Sequence, residues 1–393
     1  MQTPLLDLPF FEDRHRKLAA DLESFARNDL ADIAGSDCHK GSKLDATCRE
    51  IVARLGAAGF LSASCLVKEG ERFDVRRLCL SREILARHDG LFDFAFAMQG
   101  LGTGPISLFG SNAQRQKYLP PVVAGQQLPA FALSEPGAGS DVGAMTTTAT
   151  RDGSGYRLNG AKTWISNGGI ADQYVVFARA PGSTGAQGIS AFIVEADTPG
   201  FSIAERIRVI APHPLATIAM NDCLVPESAL IGAEGQGFAI AMQTLDVFRT
   251  TVGAAALGLG RRALDEALGR IHDRQVFGKS LKSFQITQSK IGEMALGLDA
   301  SALLVYRAAW KKDMRSDDPI TREAAMAKLF ATETAQKVID EAVQLFGGMG
   351  VVSDQPVEVL YREIRALRIY EGTSEIQKLV IAKDVMGAYS AGR

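Results

Sequence analysis

The sequence has few of the features that mark membrane, disulfide-rich or nucleic-acid-binding proteins. No apolar run approaches the roughly 20 residues that a bilayer span needs. The five cysteines show neither paired metal-type spacing nor the density of a disulfide scaffold, so we expect reduced thiols at Cys38, Cys48, Cys65, Cys79 and Cys223. The formal net charge is -2, and no basic cluster suggests a phosphate-neutralising surface. We therefore expect a globular protein with no membrane span and no nucleic-acid partner.

Motifs for metal and nucleophile chemistry are also missing. The five histidines show no metal-ligand spacing: His15, His39, His88, His213 and His272. No Gly-x-Ser-x-Gly elbow or P-loop occurs. The N-terminus has neither a basic region before a long apolar core nor an Arg-rich transit-type helix. We expect no metal site, and a cytoplasmic location.

The order of sequence patterns predicts an α+β protein of three domains. Residues 1–123 have helical spacing of apolar residues and little glycine or proline until Gly100. Residues 124–234 contain short β-rich runs between Gly, Ser and Pro turns, and residues 235–393 return to a helical period typical of a bundle. This α, β, α-bundle order without alternating βαβ units argues against a dinucleotide-binding Rossmann fold.

Two segments of the β domain are candidates for ligand contact. Residues 131–141 (FALSEPGAGSD) combine glycines with hydroxyl groups, so this loop is either a tight turn or a close approach of backbone to a polar ligand. Residues 158–169 (LNGAKTWISNGG) predict a β-hairpin that carries Trp164. That tryptophan either packs in the core or stacks on an aromatic cofactor.

Near the C-terminus, residues 368–377 (RIYEGTSEIQ) place Glu371 between an apolar helix end and a turn leading into the last helix. A desolvated carboxylate there has a raised pKa and can act as a base near neutrality. The alternative is a solvated glutamate favoured by the helix dipole.

Two glycine-containing clusters lie in the bundle, residues 274–279 (RQVFGK) and residues 344–350 (QLFGGMG). Arg274 is a candidate pyrophosphate ligand, and the glycines of the second cluster permit a close approach of backbone to a ligand. Taken separately, each cluster also fits an ordinary helix terminus.

Taken in this order, and with residues 104–110 (GPISLFG) and 116–120 (QKYLP), the motifs resemble the acyl-CoA dehydrogenase family over essentially the whole chain. The resemblance implies an N-terminal α domain, a middle β domain and a C-terminal four-helix bundle. It also implies one FAD per subunit in a homo-oligomer, usually a dimer of dimers.

The resemblance implies a flavin site by position. On one side of the ring would lie residues of the glycine-rich loop, Phe131, Leu133, Ser134, Gly139 and Ser140. Ser134 stands where the family usually has a threonine that binds the isoalloxazine edge. The other side would be covered by Trp164, Ile165 and Ser166. The adenosine and pyrophosphate would contact residues mostly from a neighbouring subunit: Arg274, Phe277, Phe284, Gln285, Gln344, Leu345, Gly347, Gly348, Thr373 and Glu375.

The resemblance also implies the chemistry. Glu371 matches the family's base in the Tyr-Glu-Gly-Thr motif, and the alternative position used by some members, just before Arg249, holds Phe248. The substrate would contact Ser140, Asp246, Phe248, Arg249 and Gly372. A bulky Phe248 favours a short, branched or cyclic acyl group if its ring points inward.

The implied activity is dehydrogenation of an acyl-CoA thioester to the trans-2-enoyl-CoA, with electrons passed to an electron-transfer flavoprotein. An acyl-CoA oxidase-like enzyme would share the base but use O2, and the compact length favours the dehydrogenase. A nitroalkane oxidase would use an aspartate base. A catalytically silent family member acting as a scaffold or nucleic-acid binder would have lost Glu371 or gained a basic extension.

Overall fold

The computed structural model describes residues 4–35, 41, 43–315 and 319–391. The chain forms two compact units. The first, which we call the helical unit, comprises Met1–Ser36, Asp74–Asp93 and Arg249–Arg393. The second, the β unit, comprises Asp37–Phe73 and Phe94–Phe248.

The helices occupy the two ends of the sequence, as the residue patterns predict. Within the described residues, five precede the sheet: α1 (Asp13–Asn28), α2 (Lys43–Ala57), α3 (Val75–His88), α4 (Gly90–Phe109) and α5 (Asn112–Val123). Five more follow it in the part of the chain that the structure describes: α6 (Gly237–Asp273), α7 (Gln285–Met314), α8 (Thr321–Phe346), α9 (Pro356–Leu367) and α10 (Ser374–Ala391).

The strands lie between them. They are β1 (Pro129–Ala132), β2 (Thr148–Asp152), β3 (Gly155–Ser166), β4 (Gln173–Arg179), β5 (Ile189–Glu195), β6 (Phe201–Arg206), β7 (Leu215–Pro226) and β8 (Leu230–Ile231), followed by a small ribbon of β9 (Gln275–Val276) and β10 (Lys279–Ser280). The predicted α, β, α order is confirmed. The domain boundaries after residues 123 and 234 stay predictions.

The β unit is built on one sheet with strand order β6-β7-β3-β2-β4-β5-β8, with β1 added in parallel to β4. Alternate residues of β4 and β5 face two apolar clusters, because side chains in a strand alternate between faces. Tyr174, Val176 and Ala178 belong to one cluster, and Val175 and Phe177 belong to the other. Both faces of the sheet are therefore covered, which explains the nearly continuous apolar sequence of β4.

The predicted hairpin within residues 158–169 is wrong. Residues 158–166 continue the single long strand β3, which pairs with β2 on one side and β7 on the other. The pairing with β7 has two irregularities, one between Leu158 and Gly160 and one between Lys162 and Ile165. Gly168 and Gly169 lie in the turn that follows the strand. A local bulge re-aims side chains without reversing the chain.

In the helical unit, α8 packs against α7, α9 and α10, and α3 packs against α1 and α7. Helix α6 approaches α3 closely at Gly258, where an added Cβ would lie 2.1 Å from the Glu83 carbonyl oxygen. Only glycine fits this contact, because any other side chain would overlap backbone. Helix α6 of the bundle therefore packs with its backbone close to that of α3, one of the N-terminal helices of the same unit.

Four cysteines are buried free thiols: Cys48, Cys65, Cys79 and Cys223. Burial raises the pKa of Cys65 to about 11, which makes a thiolate there unfavourable. Cys38 and His39 lie outside the described residues.

Over the described part of the chain, no helix has the length and apolar character needed to cross a membrane.

Candidate functional site

The turn that joins α9 to α10 carries Glu371 in an unusual backbone conformation. Glu371 has φ +53° and Gly372 has φ +91°, so two consecutive residues are left-handed. The amide of Gln377 donates from Nε2 to the carbonyl oxygens of Glu371 at 3.2 Å and of Gly372 at 2.9 Å. A left-handed non-glycine residue costs about 1–3 kcal/mol and persists only where its surroundings hold it. The turn is therefore a built feature of this junction.

The carboxyl group of Glu371 is buried, although the residue as a whole keeps partial contact with solvent. Oε2 has no hydrogen-bond partner among the described residues. Burial raises the pKa of Glu371, and the positive charges of Arg82, Lys328 and Arg249 oppose that rise. The solvated alternative for this glutamate is wrong, and a desolvated carboxyl with a raised pKa has the properties of a general base.

Charged residues surround Glu371 that sequence reasoning did not identify. Arg82 on α3 donates to Asp93 through Nε at 2.7 Å and Nη2 at 2.8 Å, and to Thr251 through Nη1 at 3.0 Å. Lys328 on α8 is buried and donates to the Gly372 carbonyl at 2.8 Å. A charged residue within an apolar helical stretch is the signal that could have identified both, since such residues are rarely buried without a partner.

In the β unit, the loop after β1 is anchored by a second buried network. Lys162 donates from Nζ to the Leu133 carbonyl at 3.1 Å and to Glu135 at 2.8 Å. The other donors to Glu135 are the backbone N–H of Thr146 at 2.6 Å, its hydroxyl at 2.8 Å and the N–H of Thr147 at 2.9 Å. This network fixes the backbone on both sides of Ser134.

The structure brings the Ser134 and Trp164 segments together. The N–H of Thr163 donates to the Ser134 carbonyl at 2.9 Å, which joins the loop to β3 just before Trp164. Trp164 is 60% exposed with φ +59°, so the core-packing alternative is wrong. The hydroxyl of Ser134 makes no hydrogen bond within the described residues. A large aromatic face and a free hydroxyl on adjacent segments fit a planar, polar ligand such as a flavin.

A surface pocket of the β unit begins at Ser140. Its walls are Asp141, Val142 and Gly143 from the same loop, the turn at Gly185 and Ala186, and Phe238 and Met242 at the start of α6. Of the predicted loop residues, Leu133 is buried, Phe131 and Ser134 are half-buried, and Gly139 and Ser140 are exposed. In β3, Ile165 is buried and Ser166 is half-buried.

Phe248 is turned toward α4. Its ring is 2% exposed and meets Phe73 with ring centroids 5.6 Å apart. A Cβ added at Gly100 or Gly104 would lie 2.6 Å or 3.0 Å from this ring. The aromatic ring therefore fills the groove that these two glycines leave on α4. Asp246 is half-buried, and Arg249, which begins the helical-unit part of α6, is buried.

The two predicted adenosine-binding clusters lie near the ends of α6 and α8. Arg270 donates from Nη2 to the Phe346 carbonyl at 3.3 Å, which brings these helix ends together. Most of the cluster residues are exposed, including Arg274, Phe277, Gln285, Gln344, Gly347 and Gly348, whereas Phe284 and Leu345 are half-buried. Phe277 is 96% exposed. Gly372 and Thr373 are half-buried and Glu375 is exposed.

No group of three or more His, Cys, Asp or Glu side chains in the described part of the chain could hold a metal ion.

Comparison with known proteins assigns the chain to one family over almost its whole length. Family models described as acyl-CoA dehydrogenase N-terminal, middle and C-terminal domains match residues 12–126, 130–223 and 235–386. The mitochondrial short-chain specific acyl-CoA dehydrogenase of Rattus norvegicus is 38% identical over 391 residues, covering 96% of this chain and 91% of that protein.

The solved structures that are similar include two with more than a third of their residues identical. Butyryl-CoA dehydrogenase from Megasphaera elsdenii has a TM-score of 0.88 and 35% identity, covering 96% of this chain and 99% of that one. A chain from a study of the electron transferring flavoprotein of Acidaminococcus fermentans has a TM-score of 0.87 and 36% identity, covering 95% of this chain and 98% of that one.

Proposed function

The chain belongs to the acyl-CoA dehydrogenase family and is an oxidoreductase acting on CH–CH bonds, and from that premise we propose that Glu371 is the base of an FAD-dependent α,β-dehydrogenation. The product is the trans-2-enoyl-CoA. The observation that carries this proposal is the buried carboxyl of Glu371, whose Oε2 has no hydrogen-bond partner in the described residues.

The chemistry requires such a carboxyl because the α-proton of a thioester is only weakly acidic. Removal of water from around the carboxylate raises its proton affinity toward that of the activated substrate. The enolate must also be stabilised as it forms, and we propose that the backbone N–H of Glu371 donates a hydrogen bond to the thioester carbonyl. The hydrogen bonds from Gln377 hold the left-handed turn, and the turn sets the position of the Glu371 N–H relative to its carboxyl.

The flavin, when bound, supplies an acceptor at N5 for the hydride from the β-carbon. We propose that Ser134 binds the edge of the flavin ring and that Trp164 to Ser166 cover one side of it. The exposed face of Trp164 and its link through Thr163 to Ser134 support this placement. Phe131, Leu133, Gly139 and Ser140 complete the loop.

We propose that the adenosine half of FAD binds the exposed clusters near Arg274 and Gln344 from a neighbouring subunit, with Thr373 and Glu375. The solvent exposure of both clusters supports this proposal. Phe277, for example, is 96% exposed. The proposed assembly is a homotetramer built as a dimer of dimers. Flavin binding and association would then be linked.

We propose that the substrate is a short acyl-CoA thioester. The names of the rat and Megasphaera relatives support a short chain, and Phe248, directed at α4, restricts the space beside Gly100 and Gly104. The surface pocket at Ser140 is the proposed place of the pantetheine arm. Asp246, Arg249 and Gly372 are the other proposed substrate contacts.

The proposed electron acceptor is an electron-transfer flavoprotein, and the similarity to a chain from the Acidaminococcus study supports it. An oxidase that uses O2 is the alternative. A cytoplasmic location stays a prediction.

The test is an anaerobic titration of the purified flavoprotein with straight, branched, cyclic and aryl acyl-CoA esters, following bleaching of the flavin band. We expect rapid bleaching by a short-chain ester and slow reoxidation in air, whereas rapid reoxidation would indicate the oxidase. Glu371→Gln is the matched control, because the amide is nearly isosteric and cannot accept a proton. It should retain flavin and ester binding and lose at least about 10³-fold in bleaching rate. Full activity in this variant would remove Glu371 from the mechanism.

A further inference from the structure

The carbonyl of Gly372 accepts two hydrogen bonds from buried side chains. Gln377 donates to it at 2.9 Å, and Lys328 donates to it at 2.8 Å. Both side chains have no exposed surface. The peptide that follows the two left-handed residues is thus held from α10 and from α8.

A buried lysine on a neutral carbonyl is costly, because transfer of an ammonium group out of water is only partly offset by one hydrogen bond. Burial lowers the pKa of Lys328 to about 8, and the nearby carboxyl of Glu371 is the largest influence opposing that change. A methionine or leucine would fill such a space without this cost. The retained ammonium group therefore indicates a role for its charge or its hydrogen bond.

Charged groups face Glu371 from four packed helices. They are Arg82 on α3, Asp93 on α4, Arg249 on α6 and Lys328 on α8. The charge of Arg82 is offset by its two hydrogen bonds to Asp93. Lys328 differs because its partner is a backbone carbonyl of the turn that carries Glu371, so its charge acts directly beside that turn.

We propose that Lys328 is a positioning residue for the base: its hydrogen bond to Gly372 holds the left-handed turn, and its ammonium charge favours the ionised carboxylate of Glu371. The inference rests on the proposed function of Glu371. Burial and charge act in opposite directions on this carboxyl. The charge of Lys328 therefore opposes the effect of burial on the pKa of Glu371.

The test separates charge from backbone support. Lys328→Met removes both the ammonium charge and the hydrogen bond, and Lys328→Arg retains the charge. Gln377→Met is the matched control, because it removes the hydrogen bonds from Gln377 to the Gly372 and Glu371 carbonyls without changing any charge. Lys328→Gln is a second neutral variant for the case in which Lys328→Met fails to fold.

The readout is the protonation of Glu371 itself, followed by the infrared carboxyl band of the full-length flavoprotein against pH. Subtraction of the Glu371→Gln spectrum identifies the band. We expect the midpoint to rise by about one unit or more in Lys328→Met and Lys328→Gln, since an opposite charge at close range shifts a carboxyl by about 1–3 units. Lys328→Arg should restore it, and Gln377→Met should leave it unchanged.

Rates of flavin bleaching by the best acyl-CoA ester give the second readout. Both Lys328→Met and Gln377→Met should slow bleaching, but only Lys328→Met should move its pH profile to higher pH. A Lys328→Met protein with the wild-type midpoint and the wild-type profile would overturn the proposal. Absence of bleaching by any ester in the wild-type protein would refute the proposed reaction instead, and the infrared titration would still decide the role of Lys328.

Discussion

Glu135 and Glu371 are buried carboxyl groups in different units, each near a buried lysine, and their pKa values shift in opposite directions. Hydrogen bonds and the charge of Lys162 outweigh burial and lower the pKa of Glu135 to about 2. Burial dominates at Glu371 and raises its pKa. A neighbouring lysine alone therefore does not determine the direction in which the pKa of a buried carboxyl shifts.

The difference lies in how fully the oxygens are bonded. Both oxygens of Glu135 accept hydrogen bonds, from Lys162 and from two consecutive threonines. Oε2 of Glu371 accepts none in the part of the chain that the structure describes. Full bonding stabilises the ionised form and makes Glu135 a structural anion. Incomplete hydrogen bonding leaves an oxygen of Glu371 able to accept a proton, as the proposed base requires.

We expect the greatest loss of stability from a substitution beside Glu135, the structural carboxylate of the two. Lys162→Met leaves the Glu135 carboxyl buried without its cation, and removal of one partner of a buried ion pair costs about 3–5 kcal/mol. We expect the free energy of unfolding to fall by that amount in urea denaturation at pH 7.

The control for this prediction is the double variant Lys162→Met with Glu135→Gln, which removes both charges. Its loss should be smaller than the sum of the two single losses, because the two side chains are coupled. A loss below about 1 kcal/mol in Lys162→Met would show that Glu135 does not need the lysine.

The next effect concerns the turn that holds Glu371, the proposed base. In Gly372→Ala, a Cβ would lie 2.5 Å from Nε2 of Gln377 at a residue with φ +91°. We expect about 1–3 kcal/mol of backbone strain and a 10- to 100-fold slower flavin bleaching, measured by stopped flow. Gly387→Ala in α10 is the matched control, since nothing lies within 4 Å of its added Cβ. Equal rates in the two variants would show that the turn tolerates movement.

The sequence predicts the α, β, α architecture and the segments that carry Ser134, Trp164 and Glu371. Periodicity identifies long helices well because it integrates over many turns. Arg82, Lys328 and Lys162 could not be assigned this way, because burial of a charged side chain depends on partners that are distant in sequence. Lys328 and Gly372 are 44 residues apart, and only packing of α8 beside the last turn joins them.

The hairpin predicted around Trp164 was wrong for a related reason. Glycines within residues 158–169 suggest a reversal, but a bulged strand and a turn share the same local composition. The pairing of β3 with β7, which runs from Gly155 opposite Pro226 to Ser166 opposite Leu215, decides between them.

A smaller effect is expected on the free energy of unfolding when each glutamate is replaced by glutamine. The two substitutions should change this free energy in opposite directions. Glu135→Gln removes a carboxylate whose folded pKa is depressed, so its stabilising contribution is present above the unfolded value and is lost as pH falls toward about 2. Glu371→Gln removes a carboxyl whose folded pKa is raised by burial. Ionisation of that carboxyl destabilises the folded state once pH rises above the pKa of the unfolded chain. Replacing the carboxyl with an amide should therefore be stabilising at neutral pH.

We expect Glu371→Gln to raise the free energy of unfolding by about 1 kcal/mol at pH 7, the common result of relieving a functional site. The gain should shrink toward pH 4, where the carboxyl is protonated in the folded protein and mostly protonated in the unfolded chain. Urea denaturation of both glutamine variants at pH 7 and pH 4, at equal flavin saturation, measures this. A destabilised Glu371→Gln at pH 7 would mean that the ionised carboxylate is well bonded in the folded protein, and Glu371 would then resemble Glu135 rather than a base.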